Sequence, residues 1–208
     1  MMIGQLLAAR VSRSSEGTGI VSTGTILRPT TRYTATAQWL HWVTALLILA
    51  TIPIAWQMIE MKPGIPERAA YFAAHKSIGV TVLLLAAARL IWRRRHSAPP
   101  FPPSTPRWVA RAAKANHVLL YCVLLAMPVS GYLQSATNGH PVNYFGLFEL
   151  PLLPQDEAVS RTFLAIHRIG QWPLYALIVL HVLGAAWHVV MLRDGSLDRM
   201  LPPQTGAS

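Results

Sequence analysis

The stretch FLAIHRIGQWPLYALIVLHVLGAAWHVVML, residues 163–192, is a long apolar run that carries three histidines. A helix needs about 20 apolar residues to cross a bilayer, so this segment spans one with length to spare. Within it, His167 and His181 are fourteen residues apart. At about 1.5 Å and about 100° per residue, that spacing puts them about 21 Å apart along the axis and within roughly 40° of one face. One membrane helix therefore offers an imidazole at each of two depths. Ionisable residues inside membranes are costly and usually functional.

Working outward, three further runs meet or approach the spanning length: Gln38 to Ile59, Tyr71 to Trp92 and Asn116 to Gln134. The expected fold is all-α, an integral membrane four-helix bundle with a long fourth helix. Composition agrees, since 52% of the 208 residues are hydrophobic and 12% charged, against about a quarter charged in an ordinary soluble domain. The formal charge of +10 does not point to nucleic acid, because the cations sit between apolar runs rather than among aromatics on one solvated face. The single cysteine, Cys122, rules out an intramolecular disulfide, a thiolate metal cluster and covalent haem attachment through Cys-x-x-Cys-His. Pro53, Pro128 and Pro173 fall inside the spans, where kinks are expected.

The connection after the second span holds Arg93, Arg94, Arg95, Arg107, Arg111 and Lys114 without an acid, and the other two connections mix signs. Positive charge stays on the cytoplasmic side, so this loop and both termini are expected there. Prolines 99, 100, 102, 103 and 106 make that loop an extended connector. The outer connection, residues 135–160, is rich in proline and aromatics and is expected to lie in the interface. Residues 1–31, rich in Ser, Thr and Gly after a short apolar start, read as a disordered cytoplasmic tail or an over-extended start. Residues 32–202 form the membrane domain, and residues 203–208 a short cytoplasmic tail.

Counting from the outer helix ends sorts the other histidines by depth. His75 lies four residues after Tyr71, and His167 four after Phe163, so both sit about 6 Å below the outer boundary. His41 precedes Ile59 by eighteen residues, and His181 follows Phe163 by eighteen, so both sit about 27 Å down. Two irons stacked across the membrane satisfy this geometry, His75 with His167 outside and His41 with His181 inside. Two imidazoles per iron leave no open position, which suits electron transfer.

Small residues follow the ligands at one turn, Ala45, Gly79, Gly170 and Gly184, and a flat macrocycle needs room there. Small-residue helix packing is the rival explanation. Arg89, fourteen residues beyond His75, is placed at the inner level to pair with a haem propionate, with snorkelling as the bland alternative. His117 counts to the inner level too, as a quinone-site residue or as a substitute ligand for His41 or His181. His188 lies about two turns beyond His181 and is a second quinone-site candidate. His96 and His140 fall in connections.

Taken in order, Gln38-Trp39-Leu40-His41-Trp42, Ala74-His75-Lys76-Ser77-Ile78-Gly79, Asn116-His117 with Tyr121, Ser130-Gly131-Tyr132, and Leu180-His181 through His188 resemble the bacterial cytochrome b561 family. The resemblance runs from about Arg32 to Pro202. It implies an inner-membrane four-helix bundle with two non-covalent haems b, ligated by His41, His75, His167 and His181. Some members are superoxide oxidases that pass an electron from superoxide at the outer haem to ubiquinone near the inner one. On that implication Lys76 and Arg168, each next to an outer ligand, draw an anion toward the haem edge, with interfacial anchoring as the rival reading. The family often has two adjacent histidines after the last ligand, where this chain has Trp187-His188.

Three functions remain to be separated. The chain is a self-contained oxidoreductase between a periplasmic donor and membrane quinone, or a haem-bearing anchor of a larger redox complex with a periplasmic partner, or a histidine-lined metal or proton transporter. The paired layers favour the first two.

Overall fold

The computed structural model describes residues 32–102 and 105–202. Both expected tails, residues 1–31 and 203–208, lie outside the described residues. Four helices are long and apolar enough to cross a membrane: α1 (Ala35–Glu60), α2 (Pro66–Arg95), α3 (Arg107–Thr137) and α4 (Glu157–Trp187). A π-helical turn, His188–Leu192, continues α4 and is followed by a 3-10 turn, Asp198–Met200. The all-α membrane bundle expected from the sequence is the fold observed.

Local chemistry sets the helix ends. Thr34 caps α1, its hydroxyl accepting from the Ala37 N–H at 3.2 Å and from Trp92 Nε1 at 2.9 Å. Pro66 opens α2 at a position where the missing N–H costs nothing. Arg93, Arg94 and Arg95 close α2, favourably placed on the negative end of its dipole. Asp156 caps α4 by accepting from the Val159 N–H at 3.0 Å. All four helices start earlier than the apolar runs suggest, by the most at Arg107 and Glu157. Hydropathy marks the lipid-facing length of a helix, whereas caps and propensity mark its true beginning.

In the bundle, α3 packs along α4, α1 along α2, and α2 against α3, while α4 makes scarcely any close backbone approach to α1 or α2. The buried apolar cluster is small: Val82, Ala86, Leu124 and Leu174, flanked by Leu47, Ile48, Ile78 and Ile178. These residues fall between the two histidine levels on their helices, so the core is an apolar plug between two polar layers. Large hydrophobic side chains such as Trp39, Leu46, Leu84, Ile169 and Leu183 cover the outside, as lipid requires and water would not tolerate over so large an area.

The connection between α3 and α4 departs from expectation. It contains a β-hairpin of β1 (Val142–Tyr144) and β2 (Phe148–Leu150), paired antiparallel with Asn143 opposite Glu149. Phe145 (φ 50°) and Gly146 (φ 76°) form its turn in the left-handed region, which a bulky residue seldom enters. The buried Ser77 of α2 offsets that strain, its hydroxyl donating to the Asn143 carbonyl (3.1 Å) and accepting from the Phe145 N–H (3.0 Å). Thr81, one turn on, meets the Tyr144 hydroxyl at 3.1 Å. The hairpin is thus clamped to α2 beside His75.

Opposite the hairpin, the chain after α4 returns across the start of α1. The buried Gln38 amide nitrogen donates to the carbonyls of Tyr33, Arg199 and Leu201, and Trp42 Nε1 donates to the Met200 carbonyl at 2.8 Å. Arg199 donates to the Pro100 carbonyl at 2.7 Å, tying the proline-rich connector into the same end.

Ser77→Ala should free the hairpin turn and leave two backbone groups without their partner. A loss of about 1–2 kcal/mol is expected, together with new proteolytic cleavage near Phe145. Thermal unfolding in detergent and limited proteolysis measure both.

Candidate haem-binding site

At the hairpin end, His75 of α2 and His167 of α4 face each other with ring centroids 6.0 Å apart. At the end carrying the return segment, His41 of α1 and His181 of α4 do the same, again at 6.0 Å. A metal–imidazole bond is about 2.0 Å and the ring centre lies roughly 1.1 Å behind the nitrogen, so two imidazoles on opposite sides of one metal have centroids about 6 Å apart. Both pairs match that spacing. Both also bridge helices that barely touch through their backbones, which leaves width for a flat group between them.

The hydrogen bonds of His167 are those of a ligand held ready. Its Nδ1 donates to the Met127 carbonyl at 2.9 Å, with the Ser130 hydroxyl 3.2 Å away. A proton fixed on Nδ1 leaves Nε2 with a free lone pair, the arrangement that orients metal-bound histidines. Gly131 makes this approach available: a Cβ there would lie 3.0 Å from the His167 ring. Across the pair, Nδ1 of His75 is buried and makes no well-formed hydrogen bond, only an approach to the Thr51 backbone.

The glycines divide into two kinds. An added Cβ at Gly79 or Gly184 would meet nothing within 4 Å, so there is open space one turn from His75 and His181. At Gly170 a Cβ would fall 2.6 Å from Met127 Sδ. That glycine serves close packing of α3 on α4, the rival explanation for small residues, and opens no space.

Arg89 reaches the level of His41 and His181, as the fourteen-residue count indicated. Its Nη2 donates to His41 Nδ1 at 3.1 Å, and its guanidinium lies over the Tyr121 ring, 5.5 Å from the centroid. A guanidinium only donates, so His41 Nδ1 is here an acceptor. Ligation through Nε2 would instead place a proton on Nδ1. Arg89 would then have to release His41, and an anionic group such as a propionate is the natural partner for the freed guanidinium.

His117 joins the same level, its ring centroid 5.2 Å from that of His181. That separation is shorter than the spacing for two ligands across one metal, which favours His41 as the partner of His181. His188 is buried and bonded through Nδ1 to Asp194 Oδ2 at 2.6 Å. Lys76 donates to the Pro141 carbonyl at 3.4 Å, and Arg168 is exposed. His96 stacks on Trp92 and His140 is exposed in the hairpin connection, so neither joins a layer. Sequence reasoning missed the Met127 carbonyl, which is invisible in a residue pattern, and Asp194, which lies beyond the apolar run.

Residues 32–203 match the family described as prokaryotic cytochrome b561. The chain belongs to that family. Among its relatives, "Cytochrome b561 homolog 2" of Escherichia coli (strain K12) is 32% identical over 174 residues, covering 82% of this chain and 91% of that protein. "Cytochrome b561 homolog 1" of the same organism is 28% identical over 175 residues, 82% and 97% of the two chains. "Probable superoxide oxidase CybB" of Yersinia pestis is 28% identical over 173 residues, 80% and 94% of the two. Cytochromes b561 are membrane electron-transfer proteins that bind haem b, and the two histidine pairs, the room at Gly79 and Gly184 and the tautomer imposed on His167 fit that group.

Gly131→Val should push the His167 ring off its carbonyl and lower haem content at the hairpin end, leaving the other level intact. The haem-to-protein ratio and the low-spin signals in electron paramagnetic resonance report it, and Gly131→Ala should give a smaller effect in the same direction.

Proposed function

We propose that this cytochrome b561 holds two haems b, one on His75 and His167 and one on His41 and His181, and carries electrons across the bacterial inner membrane from a periplasmic donor to ubiquinone. The single observation that carries this reading is the pair of 6.0 Å imidazole separations, repeated at two heights on α4. Haem b, when bound, supplies a one-electron iron couple at each level. With two ligand nitrogens at each level, the protein leaves no position for a substrate to bind iron directly. A haem so held would exchange electrons through its edge, and the surrounding side chains would choose the donor and the acceptor.

On the hairpin side the donor in this reading is superoxide. The similarity to the probable superoxide oxidase of Yersinia pestis supports it, as do Lys76 and Arg168, each next in sequence to a histidine of that pair. Among the described residues neither cation has a carboxylate partner, so their field is available to concentrate an anion at this face. Two superoxide anions each give up one electron and leave as dioxygen. One quinone takes both electrons and two protons to become quinol. His117 and His188, at or beyond the level of His181, are the polar side chains assigned to the quinone. The basic residues of the loop between α2 and α3 orient this end toward the cytoplasm.

The purified protein should contain two haems b per chain and convert ubiquinone to ubiquinol when superoxide is supplied. Two haems with no ubiquinol would remove superoxide as donor and favour an anchoring subunit that turns over only in a complex. Single variants test the ligand sets: His167→Ala should lose the haem shared with His75 and keep the other, and His181→Ala the reverse. Loss of the same haem in both variants would break the assignment.

A further inference from the structure

Just past α4 a buried ionisable pair takes no part in holding haem. His188 opens the π-helical turn His188–Leu192, and Arg193 then enters the left-handed region at φ 47°. Left-handed backbone costs a non-glycine residue about 1–2 kcal/mol, and both such outliers and π turns gather at functional sites. The result is to turn the chain back so that Asp194 reaches a residue six positions earlier. Asp194 Oδ2 lies 2.6 Å from His188 Nδ1, with their side chains only 3% and 10% exposed. Asp194 Oδ1 accepts from the Ser196 N–H at 3.0 Å, and the Ser196 hydroxyl lies 3.4 Å from the same imidazole nitrogen.

Burial alone would raise the Asp194 carboxyl, but the bonds from Ser196 and His188 outweigh it and hold the group below the ordinary carboxylate range. Asp194 is therefore an anion at neutral pH, able only to accept. His188 must donate to it from Nδ1, which fixes the tautomer and leaves Nε2 as the ring atom free to exchange a proton. The charged groups nearest the pair along the chain are Arg193 beside it, Asp198, whose carboxylate approaches Gly195, Arg199, whose guanidinium is held by the Pro100 carbonyl, and His181 two turns back along α4.

We propose that His188 and Asp194 form the proton-delivery pair of the quinone site, with Asp194 as the positioning residue. This rests on the quinone reading above. Quinone reduction there needs two electrons, arriving by way of the His41 and His181 level, and two protons, one for each carbonyl oxygen as it becomes a hydroxyl. His188 gives each proton from Nε2 and takes a replacement from water at the cytoplasmic surface. Asp194 stabilises the ring while it carries the extra proton and restores the same tautomer after each transfer.

The test uses the haem-loaded protein with a short-tailed ubiquinone. Asp194→Asn should keep both haem bands and the rate at which superoxide reduces haem when quinone is omitted. Ubiquinol formation should fall at least about tenfold and decline further as pH rises, because water must then supply the proton directly. Asp194→Glu should recover part of the rate. Nitrogen-15 resonance of the labelled wild-type protein should show His188 protonated on Nδ1, with that signal changed in Asp194→Asn. A variant with intact haems and the wild-type rate and pH profile overturns the inference alone, and so does an Asp194→Asn protein that loses a haem, since the pair is then structural. A wild-type protein that makes no ubiquinol removes the quinone reading itself, and the inference with it.

Discussion

Imidazoles that face one another across a gap between helices are the constraint on which this structure rests. The bundle is not a uniformly packed four-helix core. It is two packed pairs, α1 on α2 and α3 on α4, joined by the contact of α2 with α3. Where α4 would otherwise close against α1 and α2, it presents histidines at two heights, and the facing side chains are histidines as well. Apolar packing is confined to the zone between the heights. A sequence that filled those gaps with leucine would gain dispersion contacts and lose the place for a prosthetic group.

Around each pair, the protein controls which imidazole nitrogen is free, and it does so with different elements. At the hairpin end the control is the backbone carbonyl of Met127 on α3, next to Pro128 and brought close by Gly131. At the other end it is a guanidinium from α2, whose grip on His41 Nδ1 would have to be released for His41 to ligate through Nε2. The first arrangement is pre-organised. The second would have to exchange one partner for another, so under the two-haem proposal the levels differ in how firmly they are set beforehand.

Much of this was legible in the sequence because membrane helices reduce geometry to counting. Fourteen residues between His167 and His181, and eighteen from His41 to Ile59, become heights through a fixed rise per residue. The same rule brought Arg89 to the level of His41 and His181. What counting could not supply was whatever depends on a turn or on a backbone atom. The hairpin at 142–150 is encoded in two short strands and a strained Phe145-Gly146 turn, too small to disturb a hydropathy profile. Gly170 and Gly184 look alike along the chain and differ only in whether Met127 is the neighbour. Asp194 reaches His188 only because a π turn and a left-handed residue replace regular helix, and a 3.6-residue period predicts no contact at that spacing.

The order of the helices along the chain has a consequence for biogenesis. His41 is on α1 and His75 on α2, both synthesised well before α4, on which both find their partners. During synthesis the first three helices can insert and pack side by side with two unmatched imidazoles among them. Neither pair exists until α4 has been translated and inserted. On the two-haem proposal, cofactor capture at both heights waits for α4, and a chain that stalls before it carries no facing histidine pair at either surface.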